Sequence, residues 1–545
     1  MEVLSTDLLV IGSGLAGITS ALEAESLGLQ VLIVGKFSVG MGTNTSLADG
    51  FFTGANSSFS KEDHLRSTLE AGRGLNRLAL AETLAETAPE AIERLKDFGV
   101  SLAERKIGYQ VNQPDGSSQL RGVLLVRSLM ERVKKSSIRL FPGLVIFDLV
   151  IEEGRARGGF GFFKNGKPCL VLAKAVILCA GGAGAIYRRN DNQKSILGDG
   201  YSLALRAGLS LFDLEFVQFF PLVIDEPRLS TLGLFPPYPE EARLFNDNEE
   251  SLTEKLGIRG DLNQAVIDQR DLCSIRLYEI SREGDIYFDL TQVPPERWSR
   301  YPLNFLIKSR FPFHERPLLV SPAVHFFMGG IEIDPAGKTS VLGLFGAGET
   351  AWGVHGANRF GGNALTECAV FGLLAARSAA DYVLKKEDPY GSFDSDAEQV
   401  HKQWEKKAKE YMKKKKGVFN HPRDLLRNLK DLSWKVAGPV REEGSLKEGL
   451  SRLASLEGEI KRVYPETVRD LFMKRDLENT VLILKAILNG SLLRTESRGA
   501  FYRKDFQAQD DFQWLKHTCY RLVKGEMTIS HRPCTAEDRE RATAS

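Results

Sequence analysis

One short segment constrains this chain more than any other: the apolar run Leu8 to Ile11 breaks at once into Gly12-Ser-Gly14-Leu-Ala-Gly17. A helical pattern (Ile18, Ala21, Leu22, Ala24, Leu27) and a second apolar run, Val31 to Val34, follow. The spacing predicts a strand–helix–strand unit. Glycine at these three positions serves a tight turn, close approach of backbone N–H groups to a pyrophosphate, and close helix-to-strand contact, with the helix N-terminus facing the phosphates. The acidic residue that would hold a nicotinamide ribose at the end of the second strand is replaced by Gly35, followed by Lys36, which turns the expectation away from a nicotinamide dinucleotide.

A second strand-to-glycine break is predicted where Ala175-Val-Ile-Leu-Cys-Ala180 runs into Gly181-Gly182. Two glycine turns at strand ends suit a long, two-part cofactor. Helices are expected over Asp63 to Ala71 and Arg77 to Phe98, and short strands over Phe147 to Ile151 and Pro168 to Leu172. From about 226 to 315 prolines crowd the sequence and its pattern loosens, which reads as an inserted domain. After 385 the composition turns charged and helical, with heptad-like stretches around Leu425 to Val436, Leu446 to Val463 and Leu471 to Leu488. The eight lysines between His401 and Lys416 read as a solvated helix face in preference to a dock for an acidic partner.

The chain's 545 residues, 43% of them hydrophobic, supply a large core and more than one domain. Lys plus Arg number 72 against 71 Asp plus Glu, so no global field exists for nucleic acid. The six cysteines lie far apart without Cys-x-x-Cys, so neither a disulfide framework nor an intrinsic iron–sulfur cluster is written here, and no metal site is expected. No apolar run is long enough to span a membrane and no basic signal region precedes the first strand, so the expected location is cytoplasmic, or peripheral to a membrane through a partner.

The glycine blocks are joined by Thr43-Asn-Thr-Ser-Leu-Ala-Asp-Gly50, Gly198-Asp-Gly-Tyr201, Glu215-Phe-Val-Gln-Phe-Phe-Pro221, Gln269-Arg-Asp271, His325-Phe-Phe-Met-Gly-Gly-Ile331, Gly346-Ala-Gly-Glu349, His355-Gly-Ala-Asn-Arg-Phe-Gly-Gly-Asn363 and Arg494-Thr-Glu-Ser-Arg-Gly499. In these blocks and their order the chain resembles the flavoprotein family of succinate dehydrogenase, fumarate reductase and L-aspartate oxidase. The resemblance implies an α/β fold: an FAD-binding Rossmann-like domain in two parts (1–225 and 316–385), an inserted α+β capping domain (226–315), a helical domain (386–500) and a C-terminal tail (501–545).

It also implies the cofactor contacts. Gly12, Gly14 and Gly17 would face the FAD pyrophosphate, Thr45 and Gly50 the flavin, and Asp199, Glu349, Ala364 and Leu365 further parts of the cofactor, with Lys36, Asn44, Ala180, Gly181 and Asn363 completing the set. In membrane-bound relatives a histidine just before the first flavin-contacting threonine bonds covalently to FAD. Here that position is Asn44, whose amide is no such nucleophile, so FAD is expected to be held non-covalently, at a potential that goes with substrate reduction or oxidase chemistry.

Hydride transfer beside a carboxylate needs cations that fix the carboxylate and a group that moves a proton at the neighbouring carbon. By resemblance Arg359 and His325 bind one substrate carboxylate and Arg270 transfers the proton, a role that asks a desolvated guanidinium to work with carboxylates such as Asp268, Asp271 or Glu254. Two departures bear on specificity. The family's histidine before Pro-Thr-Gly is Phe220, and the Thr-Glu pair that grips the other carboxylate is missing from Leu229 to Arg243. Phe501 likewise stands where relatives often carry histidine. Succinate and fumarate are therefore expected to be poor substrates, and a compound with one carboxylate or thioester and an apolar far end is favoured.

The function so implied is an FAD-dependent oxidoreductase acting at a carbon beside a carboxylate or carbonyl, its electron partner a separate iron–sulfur subunit. Two alternatives stand beside it. An L-aspartate oxidase-like enzyme is opposed by Phe220 and the missing Thr-Glu, and an electron-transfer flavoprotein with a decayed substrate site is opposed by Arg270, His325 and Arg359.

Overall fold

The computed structural model describes the chain except residues 115–116, 118, 258–260, 300, 386–396, 414–420 and 539–545, and the side chains of 254 and 397–399. Its largest sheet grows from the predicted strand–helix–strand unit. Glu2–Ile11 pairs in parallel with Val31–Gly35 on one side and Pro168–Leu178 on the other, in register Leu8 with Val31 and Val10 with Ile177. The strand order is Arg139–Pro142, Val31–Gly35, Glu2–Ile11, Pro168–Leu178, Arg155–Phe163 and Leu144–Glu152. Leu344–Gly346 pairs with the far end of Pro168–Leu178. The two short runs expected at Pro168 to Leu172 and Ala175 to Ala180 are thus one strand, because Lys174 between them is merely the exposed position of a continuous ladder.

The near-continuous burial of Leu8 to Ile11, Val31 to Val34 and Ala175 to Leu178 fits a parallel sheet covered on both faces. Helices Leu15–Ser26 and Asn363–Leu384 cover one face, packed so closely that a Cβ on Gly372 would meet the Ala16 carbonyl at 3.0 Å. The expected helices are present as Lys61–Gly72, with a Ser60–Asp63 capping box, and Leu78–Asp97.

The inserted region builds a second, antiparallel sheet in the order Val217–Ile224, Leu318–Phe327, Ile286–Asp289, Arg243–Asn246, so the strands flanking the insertion supply half of it. A separate apolar cluster running from Phe220 and Leu222 to Phe313 and Val320 fills this part. Helices Leu262–Asp268 and Arg270–Ile280 belong to this part, and Val266, Asp268 and Arg270 line the same cavity as Gly12 and Ala180 of the first sheet's edge.

The three heptad-like stretches become helices Pro422–Ala437, Glu443–Ile460 and Val468–Leu493. On helix Ala397–Tyr411, Trp404 stacks on Phe160 at 4.9 Å while Lys402, Lys406 and Lys409 lie exposed; the last lysines of the run fall outside the described residues. The C-terminal tail folds into a hairpin, Lys516–Val523 with Glu526–Pro533, whose first strand pairs with Leu211–Phe212. A buried ion network ties it down: Arg494 reaches Glu215 at 3.0 Å and Glu496 at 2.8 Å, all three fully buried. Among the described residues no helix is long and apolar enough to cross a membrane.

Candidate active site

The two glycine turns predicted from sequence lie side by side. Gly12 N donates to the Val34 carbonyl at 3.1 Å and Cys179 N to that of Ile11 at 2.9 Å, which brings Gly12 and Ala180 to one sheet edge. Gly12 has φ 119°, and a Cβ there would sit 2.1 Å from the Cys179 carbonyl oxygen, so only glycine is tolerated. A Cβ on Gly17 would strike the Gly12 carbonyl at 2.2 Å, the close helix-to-strand contact assigned to the third glycine. Gly14 opens the helix, and Thr45 Oγ1 accepts from Leu15 N at 2.9 Å. The N-terminus of that helix is the position where the glycine pattern predicts a pyrophosphate.

Beneath this edge opens a cavity of about 1180 Å³, beyond the ~300–1,000 Å³ of a typical one-ligand pocket and roomy enough for a dinucleotide with a substrate. Gly12, Gly14, Asn44, Thr45 and Gly50 line it, as do Ala180, Gly181, Glu349, Ala364 and Leu365. Gly17 packs behind Gly12, and Lys36, Asp199 and Asn363 do not line the cavity. Lys36 is locked between Asp199 at 2.6 Å and Asp476 at 2.9 Å. Asn363 is turned away from the cavity, donating to Thr68 Oγ1 at 2.9 Å and meeting His64 Nε2 at 2.8 Å, which pins two helices together. Asn44 is spent inside the protein too: it accepts from Gln193 N at 2.9 Å and donates to Asn192 at 2.7 Å.

All three expected catalytic side chains reach this cavity. Strand Leu318–Phe327 presents His325, whose Nδ1 lies 2.7 Å from Asp191 and whose ring faces Phe220 and Phe235 at 5.6 and 6.0 Å. Arg359 is buried over the Phe326 ring and donates from Nη2 to Gln218 at 2.8 Å. Arg270, at the start of its helix, donates from Nη2 to the Arg359 carbonyl at 2.9 Å. The Nε of each arginine is buried without a hydrogen-bond partner among the described residues. Burial and the neighbouring Arg270 charge press Arg359 down to about 9, and burial lowers Arg270 as well. Two cations so placed, short of acceptors, are electrostatically incomplete until an anion arrives.

Of the three relay carboxylates, Asp271 accepts from Asn358 at 2.6 Å, and burial raises its carboxyl against the charges of Arg270 and Arg73. Asp268 is exposed and tied to Gln264, and the Glu254 side chain lies outside the described residues. The lining also includes an apolar group, Phe220, Leu232, Phe235, Pro236, Val266 and Ile267, of which Phe220 and Phe235 stand beside His325. Arg243 is held by Asp289 at 2.9 Å and takes no part in the lining. Phe501 packs against Phe216 at 5.6 Å in a cluster with Phe326 and Ala357. Gln218 and Asn358 sit inside two of the family's blocks but drew no role from sequence, because their partners Arg359 and Asp271 lie on other segments; Asp191 lies outside every block, with no spacing to betray it.

Comparison with known proteins supplies the context. A family model described as an FAD binding domain matches residues 7–365, and one described as the fumarate reductase flavoprotein C-terminus matches 426–543. An uncharacterized FAD-dependent oxidoreductase of Methanocaldococcus jannaschii is 30% identical over 96% of this chain and 97% of its own. A fumarate reductase (CoM/CoB) subunit of Methanothermobacter marburgensis is 30% identical over 93% and 95%, and the L-aspartate oxidase of Bacillus subtilis 30% over 91% and 90%. Among solved structures, E. coli quinol fumarate reductase superposes with a TM-score of 0.86 at 24% identity, covering 98% of both chains. Mycobacterium smegmatis Sdh1 gives 0.83 at 27%, covering 98% of this chain and 95% of that one.

Proposed function

The chain belongs to the flavoprotein family of fumarate reductase, succinate dehydrogenase and L-aspartate oxidase and is an FAD-dependent oxidoreductase, and within that family we propose that it acts on the carbon beside a carboxylate or carbonyl, with Arg359, His325 and Arg270 in the catalytic roles. When bound, the flavin supplies the hydride donor or acceptor. Gly12, Gly14, Thr45, Gly50, Ala180 and Gly181 hold it, without a covalent link at Asn44.

The observation that carries the reading is a pair of guanidinia lining one cavity, Arg359 buried and Arg270 half-buried, each with a buried Nε that has no hydrogen-bond partner among the described residues. Arg359 and His325 fix the substrate carboxylate, the planar guanidinium offering a bidentate grip. Phe326 beneath Arg359 and Gln218 beside it set that grip's orientation. Arg270, deprived of water and with its pKa lowered by burial, gives or takes the proton at the neighbouring carbon, and Asp271 is the carboxylate that shares its charge. Leaving a second carboxylate against Phe220 and Phe235 without donors costs about 1–3 kcal/mol or more, so succinate and fumarate are poor substrates. Electrons pass to or from a separate iron–sulfur subunit. The division into FAD-binding, capping, helical and tail segments serves this chemistry by letting the capping sheet close over the carboxylate.

Steady-state kinetics on a panel of monocarboxylates, dicarboxylates and acyl thioesters, read at the flavin band, test the assignment. Arg359→Ala and His325→Ala should raise KM and lower turnover with FAD retained, whereas Arg270→Lys should mainly lower kcat, because an ammonium keeps the charge and loses the fork. Unchanged kinetics in all three variants on the best substrate would place the site elsewhere.

A further inference from the structure

Three cations stand on the rim of the cavity, and the proposed reaction uses none of them. Arg73 caps the C-terminus of helix Lys61–Gly72, Arg105 ends strand Leu102–Arg105, and Lys106 begins the turn that leads to strand Gly108–Val111. All three are exposed, and all line the cavity that holds Arg359 and His325. Arg105 engages only neutral groups, Gln110 at 3.3 Å and the Glu104 carbonyl at 3.1 Å. Arg73 and Lys106 have no salt-bridge partner among the described residues. Two carboxylates, Glu70 and Asp268, share the rim, so cations outnumber anions there.

Arg73 is the best defined of the three. Its charge acts on Asp271, beside Arg270, so it belongs to the electrostatics of the inner site as well as to the rim. Its backbone is left-handed at φ 51°, a conformation that costs a side-chain-bearing residue about 1 kcal/mol relative to glycine. Arg498 pins it there by donating from Nη1 to the Arg73 carbonyl at 2.8 Å. The same cavity carries an apolar strip that includes Val266 and Ile267, the latter 62% exposed.

Resting on the carboxylate chemistry proposed above, we propose that the Arg73–Arg105–Lys106 rim is a subsite for a second anionic group on the substrate, set at the far end of an apolar stretch. A four-carbon diacid would hold its second charge against the phenyl rings of Phe220 and Phe235. A longer molecule lays its carbon chain along the apolar wall and delivers a terminal carboxylate or phosphate to exposed cations. Those cations are hydrated and near the surface, so they contribute to selection and to the rate of capture, with an effect that falls as salt rises. Arg73 is the specificity-determining member because it alone couples to the inner charges.

The test titrates the oxidised FAD-loaded protein with three medium-chain trans-α,β-unsaturated acids of equal length, ending in methyl, carboxylate or phosphate, and follows the flavin spectrum for binding; turnover of the same acids is followed separately, with reduced viologen added as the electron donor. The two anionic tails should bind at least about tenfold more tightly than the methyl tail at low salt, and the gap should narrow at high salt. The ratio between the two tails identifies the source of the anion. Arg73→Gly suits the left-handed backbone and keeps the fold, and it should erase most of the gap by weakening the tailed probes about tenfold more than the methyl probe. Arg73→Lys should retain the gap. Equal affinity for all three probes, or a gap indifferent to Arg73→Gly, overturns the subsite while leaving the carboxylate chemistry standing. If no probe perturbs the flavin or turns over, the carboxylate reading fails and the subsite falls with it.

Discussion

The imidazole Nδ1 of His325 lies 2.7 Å from the carboxylate of Asp191, a residue more than a hundred positions earlier that is nearly buried beneath it. A carboxylate accepts, so Nδ1–H donates to Asp191, and gripping a substrate carboxylate, which also only accepts, calls for a second N–H at Nε2. Asp191 is thus placed to orient His325 for the carboxylate grip proposed above.

Removing it with Asp191→Ala should lower kcat/KM about tenfold or more, the equivalent of one orienting hydrogen bond, with FAD content unchanged. Asp191→Asn, which can still accept through its amide oxygen, should lose less. Equal activity in both variants and the parent, measured by steady-state kinetics, would remove Asp191 from the site.

Asn44, held by Gln193 and Asn192, leaves no ring-attacking nucleophile at the position where some relatives link FAD. Acid precipitation of the yellow protein should leave all flavin in the supernatant. Flavin remaining on the washed precipitate would contradict this.

Phe220 fills the place of a carboxylate-binding histidine and packs on Phe235 at 4.8 Å. Phe220→His should shift preference toward four-carbon diacids by about two- to fivefold, a small gain because one donor restores only part of the missing clamp. Efficient fumarate or succinate turnover by the parent protein would refute the apolar-wall argument.

Burial lifts Glu349 to about 7 despite the N–H of Phe327, 3.1 Å from its Oε1. The folded state therefore prefers the neutral acid. Going up in pH from the unfolded value near 4.3, the flavin-free protein should lose stability until about pH 7 and then level off. Glu349→Gln should flatten that slope in chemical-denaturation curves; an identical slope in both proteins would mean Glu349 does not titrate there.

Burial opposes a charge on His517, yet Asp213 at 2.7 Å and Cys534 at 3.4 Å outweigh it and raise the imidazole to about 9. Because the folded value exceeds the unfolded one near 6.5, the contribution is complete below about pH 6.5 and disappears as pH rises through about 9. His517→Gln should cost on the order of 3 kcal/mol at about pH 6 and much less at about pH 10, measured by urea unfolding. A pH-independent difference would show the ring acting through packing alone.

Sequence by itself determined the features that depend on local backbone chemistry. Gly12, Gly14 and Gly17 could be read as a cradle because a turn, a close approach and a helix start lie within six residues, and the heptad-like stretches became helices because their apolar faces repeat within each segment. The family's order of short blocks likewise placed Arg270, His325 and Arg359 in one cavity. Tertiary structure decided the rest. It chose Asp191 and Gln218 as partners for His325 and Arg359, withdrew Lys36, Asp199 and Asn363 from the cavity into ion pairs and hydrogen bonds, and folded the C-terminal tail into a hairpin on Leu211–Phe212. Each of these outcomes joins groups separated by more than a hundred residues, and only the packing of sheets and helices sets which of many equally polar candidates ends within 3 Å of another.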